Sequence, residues 1–153
     1  MVREIKLISA KLEDLEKIYK IFEKSKYILM PPKKEAYNRI RTSLTSKNHQ
    51  THIIKENSRE VGYVVITIKN KICIINFIAL IKSKQKKGIG KITIKKIIRI
   101  ANRFNCNKIK LAVWIKNFNA IKLYNELEFY VIGLEKKVIK NKEDRLVMEK
   151  KVK

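Results

Sequence analysis

The chain is poor in the residues that bend or cross-link a backbone. Its 153 residues include four glycines, two prolines and two cysteines. So little Gly and Pro excludes a collagen-like or low-complexity chain, and no segment reads as a flexible linker. Cys73 and Cys106 cannot build a disulfide framework and lack the spacing of a metal site. Cys73 sits in an apolar run, which assigns it to packing. No run approaches the ~18 consecutive apolar residues of a membrane-spanning helix. The opening segment Met1-Val2-Arg3-Glu4-Ile5-Lys6 has no apolar signal core. The expected location is therefore cytoplasmic, with no membrane partner. There is no internal repeat, and the length suits one domain, residues 1–153, around one core. A hydrophobic content of 45% is enough for that core and excludes global disorder.

Acidic residues are scarce as well. Fourteen Asp and Glu stand against 37 Lys and Arg, a formal net charge of +23. That charge raises the question of a nucleic-acid partner. Yet only seven of the basic residues are Arg, the side chain suited to bidentate contacts with phosphates and bases. The lysines are spread along the chain, and the single Trp114 forms no stacking platform. Lys (30), Ile (26) and Asn (12) all have A/T-rich codons, so the excess reads as base composition of the source genome. The expectation is no specific nucleic-acid partner, with weak attraction to acidic molecules as a side effect.

Periodicity supplies the elements. Residues 2–8 alternate as a short strand. Leu12, Leu15, Ile18, Tyr19 and Phe22 recur at helical spacing, with Glu13 and Asp14 where a helix dipole favours acids. Pro31-Pro32 breaks the chain, and residues 34–46 read as a second helix with Ala36, Tyr37, Ile40 and Leu44 inward. Two strands, 52–55 and 61–68, flank a polar turn over residues 56–60, and Asn70 marks another turn. Residues 71–81 form a long apolar strand, expected to be buried on both faces. A helix follows from Gly88 to Phe104, with Ile94, Ile97, Ile98, Ala101 and Phe104 inward and Lys91, Lys95, Arg99 and Asn102 outward. Then come a strand (108–115), a short helix carrying Ala120, Leu123, Tyr124 and Leu127, and closing strands over 129–139 and 145–152. The order is β, α, α, β, β, β, α, β, α, β, β. Strand, loop, helix and strand over 71–115 make a right-handed crossover between parallel strands, and the rest of the sheet reads as antiparallel. The fold class is mixed α+β, with helices on a sheet.

Two of the four glycines, Gly88 and Gly90, fall where the apolar strand turns into the long helix. Glycine permits a tight turn and close approach of a ligand to the backbone. The first N–H groups of a helix have no internal partner, and the dipole adds positive charge there. Such a loop can hold a phosphate or diphosphate, aided by Lys86, Lys87 and Lys91, or it can be a plain strand-to-helix turn. Gln85 and Ile92 stand where a P-loop needs Gly and Ser or Thr, and Thr93 where a Rossmann fingerprint needs a third Gly. What does fit is Gln85-Lys86-Lys87-Gly88-Ile89-Gly90, of the form Gln/Arg-x-x-Gly-x-Gly/Ala.

With that segment the chain resembles the GNAT superfamily of acetyl-CoA-dependent N-acetyltransferases, whose diphosphate loop has this pattern. A second signature lies 32 residues on, from Gln85 to Asn117: Asn117-Phe118-Asn119-Ala120-Ile121-Lys122-Leu123-Tyr124, close to Asn-x-x-Ala-x-x-Leu-Tyr, with Phe129 at the usual spacing. The resemblance spans nearly the whole chain. It implies a central mixed, mostly antiparallel sheet of six to seven strands, about four helices, and a splayed parallel pair holding acetyl-CoA. It implies that main-chain groups of Ile78, Ala79 and Leu80 pair with the pantetheine arm. It implies that the amides from Lys86 through Ile89 and Gly90 to Lys91, with Gln85, hold the diphosphate. Asn117 would contact the pantetheine or shape the gap. Leu80 N–H would polarise the thioester carbonyl, and Tyr124 would protonate the leaving thiolate, although its place on an apolar face also suits a core aromatic. No metal is implied.

The general base is unassigned. The acids that family members place on the two parallel strands align with Asn76 and Ala112, and His49 and His52 qualify only by chemistry. The expected partners are acetyl-CoA and an amine acceptor, with a homodimer open. The alternatives are a protein N-terminal or lysine acetyltransferase, and a GNAT-fold module that binds acyl-CoA with little or no turnover.

Overall fold

A computed structural model describes residues 3–26, 31–136 and 143–152. Seven strands and four α-helices occur among them: β1 (Ile5–Ser9), α1 (Leu15–Lys24), α2 (Lys33–Thr45), β2 (Gln50–Glu56), β3 (Arg59–Lys69), β4 (Ile72–Leu80), α3 (Ile89–Arg103), β5 (Lys108–Trp114), α4 (Phe118–Glu126), β6 (Tyr130–Glu135) and β7 (Arg145–Lys151). They form one sheet in the order β1-β2-β3-β4-β5-β7-β6. Only β4 and β5 run parallel. The expected mixed α+β class and element order are both present.

Local chemistry explains the hairpins. The β2–β3 turn is Asn57-Ser58 and the β3–β4 turn is Asn70-Lys71, with φ positive at all four residues. That is the signature of a two-residue type I′ turn, whose twist matches that of the flanking strands, and Asn tolerates the left-handed region well. The broad polar turn expected over residues 56–60 is thus only two residues long.

The helices cover opposite faces. Leu15, Ile18, Ile21 and Phe22 of α1, with Ala36 and Ile40 of α2, pack on Ile53, Tyr63, Val65 and Ala79. On the other face Ile94, Ile97, Ile100 and Ala101 of α3 pack with Tyr124, Val64, Ile109, Leu111 and Met148. Burying a large aliphatic side chain is worth about 1.5–3 kcal/mol. The four buried isoleucines of α3 (Ile89, Ile94, Ile97 and Ile100) therefore seat the helix, and its N-terminus, firmly on the sheet.

Several expectations are corrected. Leu12 belongs to a 3-10 turn ahead of α1 and is exposed, as is Phe104, which caps α3 after Ile100 has taken the inward position. Tyr37 and Leu44 are only half-buried, and Ser43 takes a buried place on α2 instead. The strand expected over 129–139 is β6, which ends at Glu135, and residues 137–142 lie outside the described part. Strand β4 is buried on both faces as expected, with Cys73 and Ile75 under α3 and Ala79 under α1 and α2, although Asn76 is exposed. Cys73 packs as expected, and burial first, then neighbouring Cys106, pushes its thiol pKa up to about 12.

Candidate active site

The parallel pair β4–β5 stays together only from Ile72–Ile75 against Lys108–Leu111. Beyond that, β5 continues with β7 through Ala112↔Val147, Val113↔Leu146 and Trp114↔Arg145, while β4 continues with β3. The two strands therefore part and leave a gap in the sheet. The divergence begins at a bulge. Val65 pairs with Phe77 and Ile66 with Ile75, so Asn76 is the extra residue. A bulge bends its strand and strengthens the local twist, which turns β4 away from β5 at the point where pairing ends. Thr67 Oγ1 donates to Asn76 Oδ1 at 2.7 Å and holds the bulged side chain.

The ladder on the β3 side settles which main-chain groups face that gap. Ile81 N–H donates to the Val61 carbonyl at 2.9 Å. The pair Gly62↔Leu80 that they flank is accordingly a non-hydrogen-bonded pair, and Tyr63↔Ala79 is a hydrogen-bonded one. By the same alternation Val64↔Ile78 is non-hydrogen-bonded. Ile78 and Leu80 thus turn their N–H and C=O groups away from β3, toward the gap. Ala79, expected to share that role, spends its groups on Tyr63, and its methyl is buried under α1 and α2. Only two of the three residues can present main-chain groups to a ligand, and of Leu80 it is the N–H, since its carbonyl accepts from the Gln85 side chain.

Beyond Leu80 the chain makes a 3-10 turn at Lys82–Lys84 and enters the glycine loop. Lys86 has φ 59° and Gly88 has φ 83° with ψ −2°, so Gly88 caps α3 in the left-handed conformation. A side chain at Gly88 would be strained there, which is why this position needs glycine. The amides of Ile89, Gly90 and Lys91 then open the helix without partners of the i−4 type. A Cβ on Gly90 would meet only Leu123 Cδ2, at an ordinary contact distance of 3.4 Å, so neither the turn nor the packing requires glycine at this position.

The Gln85 side chain does not reach outward. Its Nε2 donates to the Ser25 carbonyl at 2.8 Å and the Leu80 carbonyl at 2.9 Å, tying the end of α1 to the end of β4. Asn117 N-caps α4, its Oδ1 accepting from Ala120 N–H at 3.3 Å. Tyr124 lies on the inner face of α4, buried, with its ring 5.6 Å from that of Phe129. Lys86 and Lys87 are exposed, and Lys91 pairs with Glu126 at 3.7 Å.

Sequence reasoning missed a carboxylate beside the loop. Glu56, at the end of β2, binds Lys84 Nζ at 2.6 Å and Arg3 Nε at 2.9 Å. The Lys84 hydrogen bond, then the charges of Lys84, Arg3 and Lys87, hold its carboxyl below the usual range against the opposing effect of burial. The signal is faint in the sequence because the three partners come from three distant segments.

His52, weighed as a base, pairs across the sheet with Val64, which in turn pairs with Ile78. Two strand spacings, about 10 Å, separate it from Ile78. Both ring nitrogens are buried without a hydrogen-bond partner. Burial first, and the Arg103 charge second, lower its pKa. The folded pKa lies below the unfolded one of about 6.5, so the neutral ring contributes stability above about pH 6.5 that is lost as pH falls below it. Melting temperature should therefore decline from pH 7 toward pH 5 in the wild type, and less so in His52→Leu. Equal slopes in the two proteins would remove His52 as the cause.

Among the described residues no cluster of His, Cys, Asp and Glu could hold a metal ion, and no helix is long and apolar enough to cross a membrane. The arrangement offers main-chain donors along β4, a cationic helix N-terminus at one end, and a buried phenol on α4. Together these can hold an extended ligand with an anionic end.

The comparisons agree with that geometry. The model of the Acetyltransferase (GNAT) family matches residues 15–129. No curated protein matches the chain at a significant level. Among solved structures, the ribosomal-protein-S18-alanine N-acetyltransferase from Escherichia coli superposes with a TM-score of 0.83 at 17% identity, over 99% of this chain and 94% of that one. A spermidine N-acetyltransferase chimera from Vibrio cholerae and hSSAT gives 0.81 at 18%, over 97% and 95%. A GNAT acetyltransferase from Streptococcus pneumoniae gives 0.73 at 19%, over 98% and 100%. Identities this low speak for the fold alone, whereas the family match covers most of the chain and both motifs. The chain belongs to the GNAT acetyltransferase family.

Proposed function

We propose that the protein is an N-acetyltransferase that moves the acetyl group of acetyl-CoA to a primary amine. The observation that carries this reading is the gap between β4 and β5, lined by the outward-turned groups of Ile78 and Leu80 and leading to the left-handed cap at Gly88. A pantetheine arm is an extended chain with amide groups, and it can add to the freed edge of β4 as a strand would. A diphosphate suits the opening of α3. The residues present thus fit the co-substrate.

The chemistry asks little more of the chain. The amine nitrogen attacks the thioester carbonyl carbon, the C–S bond breaks, and the amine proton passes to water. Leu80 N–H faces the gap and can stabilise the charge that gathers on the carbonyl oxygen. Tyr124 is an O–H donor at neutral pH and can give its proton to the departing sulfur.

No acid stands on the parallel strands to act as base: Asn76 is held by Thr67, and Ala112 has no ionisable group. We infer that the enzyme captures amine that is already neutral. A field of +23 helps by disfavouring the ammonium form. The same field disfavours a polycationic acceptor such as the spermidine named for one structural relative, and favours a neutral or anionic small amine. A protein N-terminal amine, as named for another relative, is the next choice. The missing base also keeps a second reading in place, a GNAT-fold domain that holds acyl-CoA without turnover.

Coenzyme A at about one hundred times its Kd should stabilise the fold by about 2.7 kcal/mol, seen as a rise in melting temperature. Free thiol should appear from acetyl-CoA with some member of an amine panel, and kcat/KM should climb about tenfold per pH unit below the pKa of the amine. No stabilisation by coenzyme A would end the proposal. Stabilisation without thiol release from any amine would select the binding-only reading. A plateau set by a group near pH 7 would restore a histidine base.

A further inference from the structure

The diphosphate loop is held from outside its own motif. Arg3, ahead of β1, donates from Nη1 to the Lys87 carbonyl at 2.5 Å. A Cβ placed on Gly88 would lie 3.8 Å from the same nitrogen. Glu56 anchors this guanidinium through its Nε at 2.9 Å, and its other oxygen anchors Lys84 at 2.6 Å. The anchor is itself fixed. Glu4 N–H donates to Asn57 Oδ1 at 2.8 Å and Asn57 N–H to the Glu4 carbonyl at 3.0 Å, so the chain ahead of β1 is stapled to the β2–β3 turn. The Glu56 side chain is only 11% exposed, while Arg3 is 41% exposed at the rim.

Four lysines lie within six residues of this loop, at 82, 84, 86 and 87, and two of its residues have positive φ. Mutual repulsion and backbone strain both work against its shape. We propose that Arg3, held by Glu56, is a positioning residue that keeps the Lys87–Gly88 peptide in the anion-receiving conformation before coenzyme A arrives. The Lys87 carbonyl is drawn outward to the guanidinium, and the amides that follow Gly88 are left facing the ligand. A planar fork can bond Glu56 and a carbonyl at once in fixed directions, which an ammonium does less well. Pre-organisation of this kind raises affinity by removing an ordering cost at binding.

The inference rests on the acetyl-CoA reading, and the test separates the two. Coenzyme A binding is measured by calorimetry for the wild type, Arg3→Lys, Arg3→Met and Glu56→Gln, with amide hydrogen exchange of residues 88–92 in the unliganded proteins. Expected are an approximately tenfold weaker Kd in all three variants and faster exchange at those amides. Maximal turnover at saturating acetyl-CoA should stay near the wild-type value. Glu56→Gln decides between positioning and bare charge, because it removes a negative charge beside the loop. If the loop acted only by its field, that variant would bind coenzyme A more tightly. Tighter binding by Glu56→Gln, or wild-type affinity and exchange in Arg3→Lys, would overturn the proposal. Absence of binding by the wild type itself would instead sink the reading on which it stands.

Discussion

Replacing Tyr124 by phenylalanine should lower kcat by about a hundredfold or more while leaving the fold in place. A positioned general acid is typically worth about 10²–10⁴ in rate. The substitution keeps the ring, its burial and its packing on Phe129, and removes only the hydroxyl. Loss of one hydroxyl hydrogen bond costs on the order of 1 kcal/mol, a small part of the 5–15 kcal/mol typical of a domain. Stability and activity are thereby separable: a thermal melt reports the first, and thiol release from acetyl-CoA reports the second. The KM for acetyl-CoA should change little, since the proton is needed only as the sulfur leaves. Unchanged turnover in Tyr124→Phe would reduce Tyr124 to a core aromatic, and the thiolate would then have to take its proton from water.

Gly62→Ala should do the reverse, damaging the fold first and binding with it. A Cβ at this position on β3 would fall 2.3 Å from the Ala79 carbonyl oxygen, 2.7 Å from Leu80 Cδ2 and 3.2 Å from Ile54 Cδ1. The two side chains could rotate aside. The carbonyl cannot, because Ala79 is locked to Tyr63 in the ladder. Strands β3 and β4 must separate, and overpacking of this kind costs about 1–3 kcal/mol or more. Contact with main chain rather than with a side-chain tip places Gly62→Ala at the upper end. A fall in melting temperature on the order of 10 °C should follow for a domain of this size. The stabilisation by coenzyme A should shrink too, since Ile78 and Leu80 move with β4. A variant with wild-type melting temperature would mean that the strands part without cost, and that this glycine does not set the line of β4.

Both variants bear on how much could be read before the tertiary structure. The hairpins, the crossover and the glycine-marked loop are legible because each depends on neighbours in sequence: alternating strands around a polar turn, a 3.6-residue repeat, glycine ahead of a helix. Phe104 was misplaced because inward and outward positions at a helix end are decided by where the sheet stops. Leu12 was misplaced because a 3-10 turn rotates its residues away from the face that α1 presents. Gln85 fits the motif by type, yet its carboxamide braces Ser25 to Leu80. A sequence pattern reports which residue stands at a position and is silent on the direction of its side chain.

The family resemblance, the order of the elements and the glycine loop ahead of α3 are all readable without a fold, since they follow from local periodicity and from two motifs separated by one βαβ unit. Tertiary structure alone decided which backbone groups line the gap. That choice between Ala79 and its neighbours depends on strand parity against β3, and a one-residue difference in register would exchange them. It also decided that Arg3 and Glu56 meet at the loop that carries Lys84 and Lys87, because segments 28 to 84 residues apart in the chain become neighbours only when the sheet has formed.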